Sequence, residues 1–189
     1  MEGKLIFLHG ASSVGKSTLG TLLQHALPHA ALIDQDTYFY EKKPFVTIDN
    51  KLVQNWDCDE SIDYHRFVHD IQLLQKTHDY VIVTGFALRN YLLHGLKPTI
   101  GFLLESGLPP EEEVDKMITS RQQSKRFATY EKQERDKLMV CHYVYPYYQQ
   151  TLKHIDYDYV IPVYKYNGQR LSKEDIVHVL LQLLHKNNL

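Results

Sequence analysis

The first stretch able to do chemistry is HGASSVGKST, residues 9–18, in which Gly10, Gly15, Lys16 and Ser17 stand at the spacing G-x-x-x-x-G-K-[ST]. Glycines at those places let the backbone approach a phosphate closely. The start of a following helix aims unpaired N–H groups at it, and a lysine adds a mobile positive charge. The set Gly10, Ala11, Ser12, Ser13, Val14, Gly15, Lys16, Ser17 and Thr18 therefore predicts a cradle for the phosphates of a nucleoside triphosphate, with the Ser17 hydroxyl on magnesium. The flanks agree. KLIFLHG (4–10) is a short apolar run of buried-strand character, and KSTLGTLLQHAL (16–27) has helical periodicity. The motif leaves open what becomes of the phosphate: hydrolysis, a switch, or transfer to another molecule.

Three further stretches bear on that choice. In LIDQDTYFY (32–40), Asp34 and Asp36 are two apart and share a side if the strand runs through both. An acid there can reach the phosphate loop, either to take a proton from an attacking hydroxyl or to bind water on magnesium. The plainer alternative is that one of them caps a turn. In NWDCDESIDYHRF (55–67), Asp57 can accept bonds from two neighbouring hydroxyls, as on a ribose, with Trp56 as an apolar wall. Its plainer alternative is a helix start capped by Asp59 or Ser61. TSRQQSKRF (119–127) carries Arg121, Lys125 and Arg126. A cation closing over a moving phosphoryl group stabilises the negative charge that spreads there; a solvated charged helix would show the same pattern.

These residues need a frame. Apolar strand candidates recur at Leu5–His9, Ala31–Asp34, Tyr80–Thr84, Ile100–Glu105 and Tyr159–Val163, and helical stretches at Lys16–Leu27, Ser61–Thr77, Pro110–Gln122, Tyr130–His154 and Ser172–His185. Strands separated by helices predict an α/β fold whose parallel sheet is covered on both faces, with ligands beyond the carboxyl ends of the strands. The 189 residues suit one domain. A net charge of -2 points away from nucleic acid and membrane surfaces. Cys58 and Cys141 lack metal-site spacing and read as free thiols of a reducing compartment. With no signal peptide visible and no apolar run near the roughly 20 residues of a membrane helix, a cytoplasmic location is expected. The eleven histidines are scattered and are expected at the surface or at helix ends. Pro146, inside the aromatic run CHYVYPYYQQ, predicts a kink or helix start. Oligomeric state is not readable.

GASSVGKST, DQDTYF, NWDCDESID, VIVTGF and the segment from Ser120 to Tyr148 occur in an order that resembles the uridine kinase and nicotinamide riboside kinase group of P-loop kinases, nearest the nicotinamide riboside kinases. The resemblance implies a P-loop NTPase-type domain over 1–189, with a helical lid at about 119–137. It also implies ATP and Mg2+ as cofactors, and transfer of the γ-phosphate to the 5′-hydroxyl of a nucleoside. Asp36 matches the group's catalytic acid and Asp57 its ribose-binding carboxylate. Tyr38, Phe39 and Trp56 would shape the nucleoside pocket. Arg121 and Arg126, with Lys16, would act on the transferring group.

Two departures stand out. Thr84 occupies the place where the group has a glutamate serving magnesium, and Asp34 is a candidate to compensate. ATYEKQERDKL (128–138) looks helical and highly charged where the group often has proline and glycine. Nicotinamide riboside is the first acceptor implied, with uridine or cytidine next. A different small-molecule acceptor, or a nucleotide-binding regulatory protein with weakened catalysis, are the competing readings.

Overall fold

The structure is a computed structural model and describes residues 2–86, 88–123, 129–165 and 167–189. Lys125 and Arg126 lie outside the described residues. Five strands form a parallel sheet in the order β2-β5-β1-β6-β7: β1 (Lys4–Gly10), β2 (Ala30–Asp34), β5 (Tyr80–Gly85), β6 (Ile100–Glu105) and β7 (Tyr159–Pro162). All five agree with the apolar runs to within a residue or two. The central strand explains the two-layer core. Along β1, Leu5 and Phe7 face one side and Ile6 and Leu8 the other, as a two-residue period requires, and all four are buried.

Leu5 and Phe7 join Val81 and Val83 under α2 (Tyr64–Gln75), which contributes Phe67, Val68 and Ile71. Ile6 and Leu8 join Ile82 and Phe102 under α1 (Lys16–Ala26) and α6 (Lys173–Lys186), through Leu19, Leu23, Ile176 and Leu180. Helices on both faces leave the carboxyl ends of the strands as the open rim where a site can form. The α1 helix comes very close to the sheet: a Cβ on Gly20 would lie 2.8 Å from Thr84 Cγ2 and 2.9 Å from Leu32 Cδ1.

Three elements depart from expectation. A β-hairpin, β3 (Phe45–Ile48) with β4 (Lys51–Gln54), follows the second strand. Its Asp49–Asn50 turn has both residues in the left-handed region, φ 49° and 58°, as a two-residue hairpin turn demands. The helix expected from Ser61 begins at Tyr64 and is capped by Asp63, which accepts from Arg66 N; Asp59–Ser61 form a separate 3-10 turn. The stretch after α3 (Pro110–Gln122) runs as α4 (Tyr130–Met139), a π-helical turn (Val140–Val144) and α5 (Tyr145–Thr151). Pro146 supplies no N–H, and the wider turn ahead of it absorbs that interruption.

Candidate functional site

The loop between β1 and α1 is built as a receptor for an anion. Gly10 and Gly15 have φ 157° and 96°, and Ser13 has φ 76°. The α1 helix starts with no side-chain cap and no acidic residue in its first turn, so its first amides remain available. Ala11 and Val14 are buried in the core and offer the loop's outer face only backbone, while Ser17 and Thr18 are exposed. Lys16 Nζ donates to Ala11 O at 2.8 Å across the loop. Burial lowers the Lys16 pKa, against the pull of Asp36, Asp34 and Asp57. Little space remains behind the loop: a Cβ at Gly10 would meet Leu104 O at 2.7 Å, and one at Gly15 would meet Arg170 Nη2 at 2.7 Å. These features fit a bound triphosphate.

Beside the loop lies a cavity of about 130 Å³ lined by Ser12, Lys16, Asp36, Phe39, Trp56, Asp57, Phe86 and Arg121. Asp36 thus shares one enclosure with Lys16, beyond the ends of the strands. β2 stops at Asp34, and Gln35–Tyr38 make a 3-10 turn, so the two acids do not lie along one strand face. Asp34 instead caps the turn, accepting from Asp36 N at 3.1 Å, and its other oxygen accepts from the Ser17 hydroxyl at 2.6 Å. Asp36 opens to the cleft, and the surrounding protein raises its pKa through desolvation; Lys16 opposes this, whereas Asp34 and Asp57 add to it. Gln35 is buried and ties this turn to β5, its Oε1 accepting from Phe86 N at 3.0 Å.

Phe39 and Trp56 meet edge to face at 5.4 Å and form the apolar wall. Tyr38, expected beside them, is turned away. Its ring packs against Phe67 at 5.0 Å in the core under α2, and its hydroxyl donates to Asp70 at 2.8 Å. The 3-10 turn sends neighbouring side chains to different sides, and only Phe39 reaches the cleft.

Arg121, at the end of α3, is held by two carboxylates. Nε and Nη2 donate to Asp136 on α4 at 2.9–3.2 Å, and Nη1 lies 3.4 Å from Asp57. Burial works against its charge, but Asp57 and Asp136 outweigh that and raise its pKa. The guanidinium therefore fixes Asp57 in the cleft wall, an arrangement different from the expected lone cation over a phosphoryl group.

Several contributors were not legible in sequence. Arg170 donates from Nη2 to Val14 O at 2.8 Å and braces the phosphate loop from the far end of the chain. Arg89 clamps the 55–61 loop: it bonds Asp59 at 2.9 Å and the Thr151 hydroxyl at 3.0–3.1 Å, and its guanidinium lies 4.3 Å from the centre of the Tyr147 ring. The Tyr147 hydroxyl also donates to Asp59. His9 is buried rather than superficial. Its Nε2 lies 3.0 Å from Asp156 O, and desolvation takes its pKa down to about 4. A second cavity, about 740 Å³, opens at the ends of β6 and β7 and is lined by Glu105, Gly107, Tyr164, Lys165 and Asn167 among others.

No family model matches the chain. A nicotinamide riboside kinase of Saccharomyces cerevisiae is 35% identical over 74 residues, covering 39% of this chain but 30% of that relative. Nicotinamide riboside kinase 2 of Mus musculus is 25% identical over 193 residues, covering 94% and 93% of the two chains. The fold is similar to shikimate kinase from Acinetobacter baumannii in complex with shikimate (TM-score 0.52, 18% identity, 99% and 96% covered). It is also similar to thymidylate kinase from Candida albicans (TM-score 0.51, 14% identity, 99% and 93% covered). The chain is thus similar to nicotinamide riboside kinases at low identity, and its fold is that of P-loop kinases.

Thr84, where the resemblance implied a glutamate, stands near the carboxyl end of β5. It is fully buried beneath Gly20, and its Oγ1 has no hydrogen-bond partner among the described residues. A Cβ added at Gly20 would lie 2.8 Å from Thr84 Cγ2, so little space separates this side chain from α1. The neighbouring strand puts Asp34 opposite Thr84, and Asp34 is already on the Ser17 hydroxyl.

Proposed function

We propose that the protein transfers the γ-phosphate of ATP to the 5′-hydroxyl of a riboside, nicotinamide riboside first among the candidates. The observation that carries this reading is the single cavity lined jointly by Lys16, Asp36 and Asp57. A mere nucleotide binder has no use for a proton acceptor facing its phosphate lysine. Asp57, steadied by Arg121, accepts from the ribose hydroxyls, while Phe39 and Trp56 exclude water from the sugar's apolar side. The 5′-hydroxyl then gives its proton to the Asp36 carboxylate as its oxygen forms a bond to the γ-phosphorus. The bond from that phosphorus to the β–γ bridging oxygen breaks, and ADP takes that electron pair. Lys16 and the uncapped amides of α1 balance the charge on the phosphate oxygens. The wide cavity at β6 and β7 takes the adenine. Arg126, outside the described residues, remains the candidate cation for the moving group.

Magnesium, when bound, neutralises phosphate charge and orients the γ-group. Ser17 would hold it directly, and Asp34 would hold its water shell in place of the acid missing at position 84. Asp34→Ala should therefore lower turnover at least about tenfold and raise the magnesium concentration needed to bind a fluorescent ATP analogue. An Asp34→Ala enzyme with unchanged turnover and magnesium dependence would end the compensation idea. Thr84→Glu, which buries a carboxylate beside Asp34, should lower the melting temperature and leave turnover unimproved.

The function itself is tested by measuring ADP release against a panel of nucleosides, sugars and vitamins. Strong stimulation by ribosides, with phosphate found on the 5′-oxygen, is expected. No stimulation by any acceptor would favour the regulatory reading instead.

A further inference from the structure

Resting on the triphosphate part of that reading, we infer that Arg170 is a positioning residue for the nucleotide. From the strap between β7 and α6, it turns the Val14–Gly15 peptide so that the Gly15 amide faces the phosphates.

A trans peptide is planar, and its C=O and N–H point opposite ways. Val14 O accepts from Arg170 Nη2 at 2.8 Å. The N–H of Gly15 belongs to the same peptide, so it points away from the guanidinium, toward the other side of the loop. That amide has no hydrogen-bond partner among the described residues, and α1 begins beside it without a side-chain cap. Its direction needs an outside hold, because a glycine opposes rotation about φ only weakly. The same guanidinium reaches the preceding carbonyl as well, with Nη1 3.4 Å from Ser13 O. Gly15 makes room for it: a Cβ there would lie 2.7 Å from Arg170 Nη2.

The strap that carries Arg170 is firmly tied. Tyr164 and Arg170 pair across an antiparallel bridge, Lys165 N donates to Gln169 O at 2.8 Å, and Leu171 N donates to Val163 O at 3.0 Å. Ser172 then caps α6, accepting from Asp175 N at 3.0 Å. Arg89 and Arg121 are matched by carboxylates, whereas none of the ion pairs among the described residues takes Arg170. Its charge is left to the loop carbonyls, and a charge-assisted hydrogen bond is among the stronger holds a side chain can place on a backbone. Tyr164, Lys165 and Asn167 of the same strap line the wide cavity at β6 and β7. Arg170 could therefore serve the base side instead, and the two roles separate by experiment.

The test titrates ATP and inorganic triphosphate, each with magnesium, into the wild type, Arg170→Met and Arg170→Lys, and follows the Gly15 amide by NMR. Arg170→Met should weaken both ligands by the same factor, at least about fivefold. Arg170→Lys, which keeps a donor but not the fork, should fall between, and it carries the comparison if the methionine variant does not fold. The Gly15 amide proton should shift downfield when either ligand binds the wild type, and shift much less in Arg170→Met. Unchanged ATP affinity in a folded variant, a loss for ATP but not for triphosphate, or an unaltered Gly15 response would overturn the inference. The riboside reading would survive, because no acceptor enters these measurements. A wild-type protein that fails to bind ATP would overturn the kinase reading, and this inference with it.

Discussion

Replacing Asp36 with alanine should cut turnover by about two to four orders of magnitude while ATP affinity changes only a few-fold. On the proposed mechanism the loss falls on the chemical step, because the carboxylate would take the proton from the acceptor hydroxyl while the loop and Lys16 would hold the triphosphate. The protein should not lose stability with it. Desolvation already raises the Asp36 pKa in the folded state, so its ionised form opposes folding at neutral pH, and removing it lifts that penalty. The same shift sets the acid limb of kcat/KM. On the proposed mechanism activity needs the ionised carboxylate and is present above the raised pKa. It should fall away as pH drops through that value, at a pH above the ordinary carboxylate range. A thermal melt, an ATP titration and a pH profile on wild type and Asp36→Ala check all three. Near-normal turnover in the variant would remove Asp36 from the mechanism.

Arg121→Ala should be the most destabilising single change near the site. It leaves Asp136, whose side chain is 2% exposed, without the guanidinium it accepts from, and takes the same guanidinium from Asp57, at 12%. Removing one partner of a buried ion pair costs about 3–5 kcal/mol because the other charge stays uncompensated. Urea unfolding of Arg121→Ala and Arg121→Ala/Asp136→Ala separates the two effects: the double variant should recover a good part of the loss. If the single variant unfolds like wild type, the guanidinium is not holding α3, α4 and the Asp57 loop together. In protein that remains folded, the riboside KM should rise more than kcat falls, because Asp57 has lost its anchor.

What the sequence carried and what it withheld follows from range. Strands of the sheet are continuous apolar runs because helices cover both faces, and such runs are visible locally. The G-x-x-x-x-G-K-[ST] spacing is local too, being set by one turn. The β3–β4 hairpin was harder to see: only one of its eight strand residues, Ile48, is buried, so apolar patterning was weak and the Asp49–Asn50 turn was its main signal. Tyr38 and Phe39 illustrate another limit. Both are aromatic and adjacent, and only the geometry of the short turn decides which of them faces the cleft. Arg89 lies 30 and 62 residues from Asp59 and Thr151, and Arg170 lies 156 from Val14, and nothing local in the sequence announces these partners. Arg121 was found by its charge, but its engagement with Asp136 depends on how α3 and α4 pack.

The most direct measurement is a crystal structure of the wild-type protein with an unreactive ATP analogue and a riboside. The account predicts the riboside's 5′-oxygen within hydrogen-bond reach of the Asp36 carboxylate, about 2.6–3.2 Å, and pointed at the γ-phosphorus, with the ribose hydroxyls on Asp57. A riboside seated outside this cleft, or an Asp36 side chain turned from the hydroxyl, would contradict it.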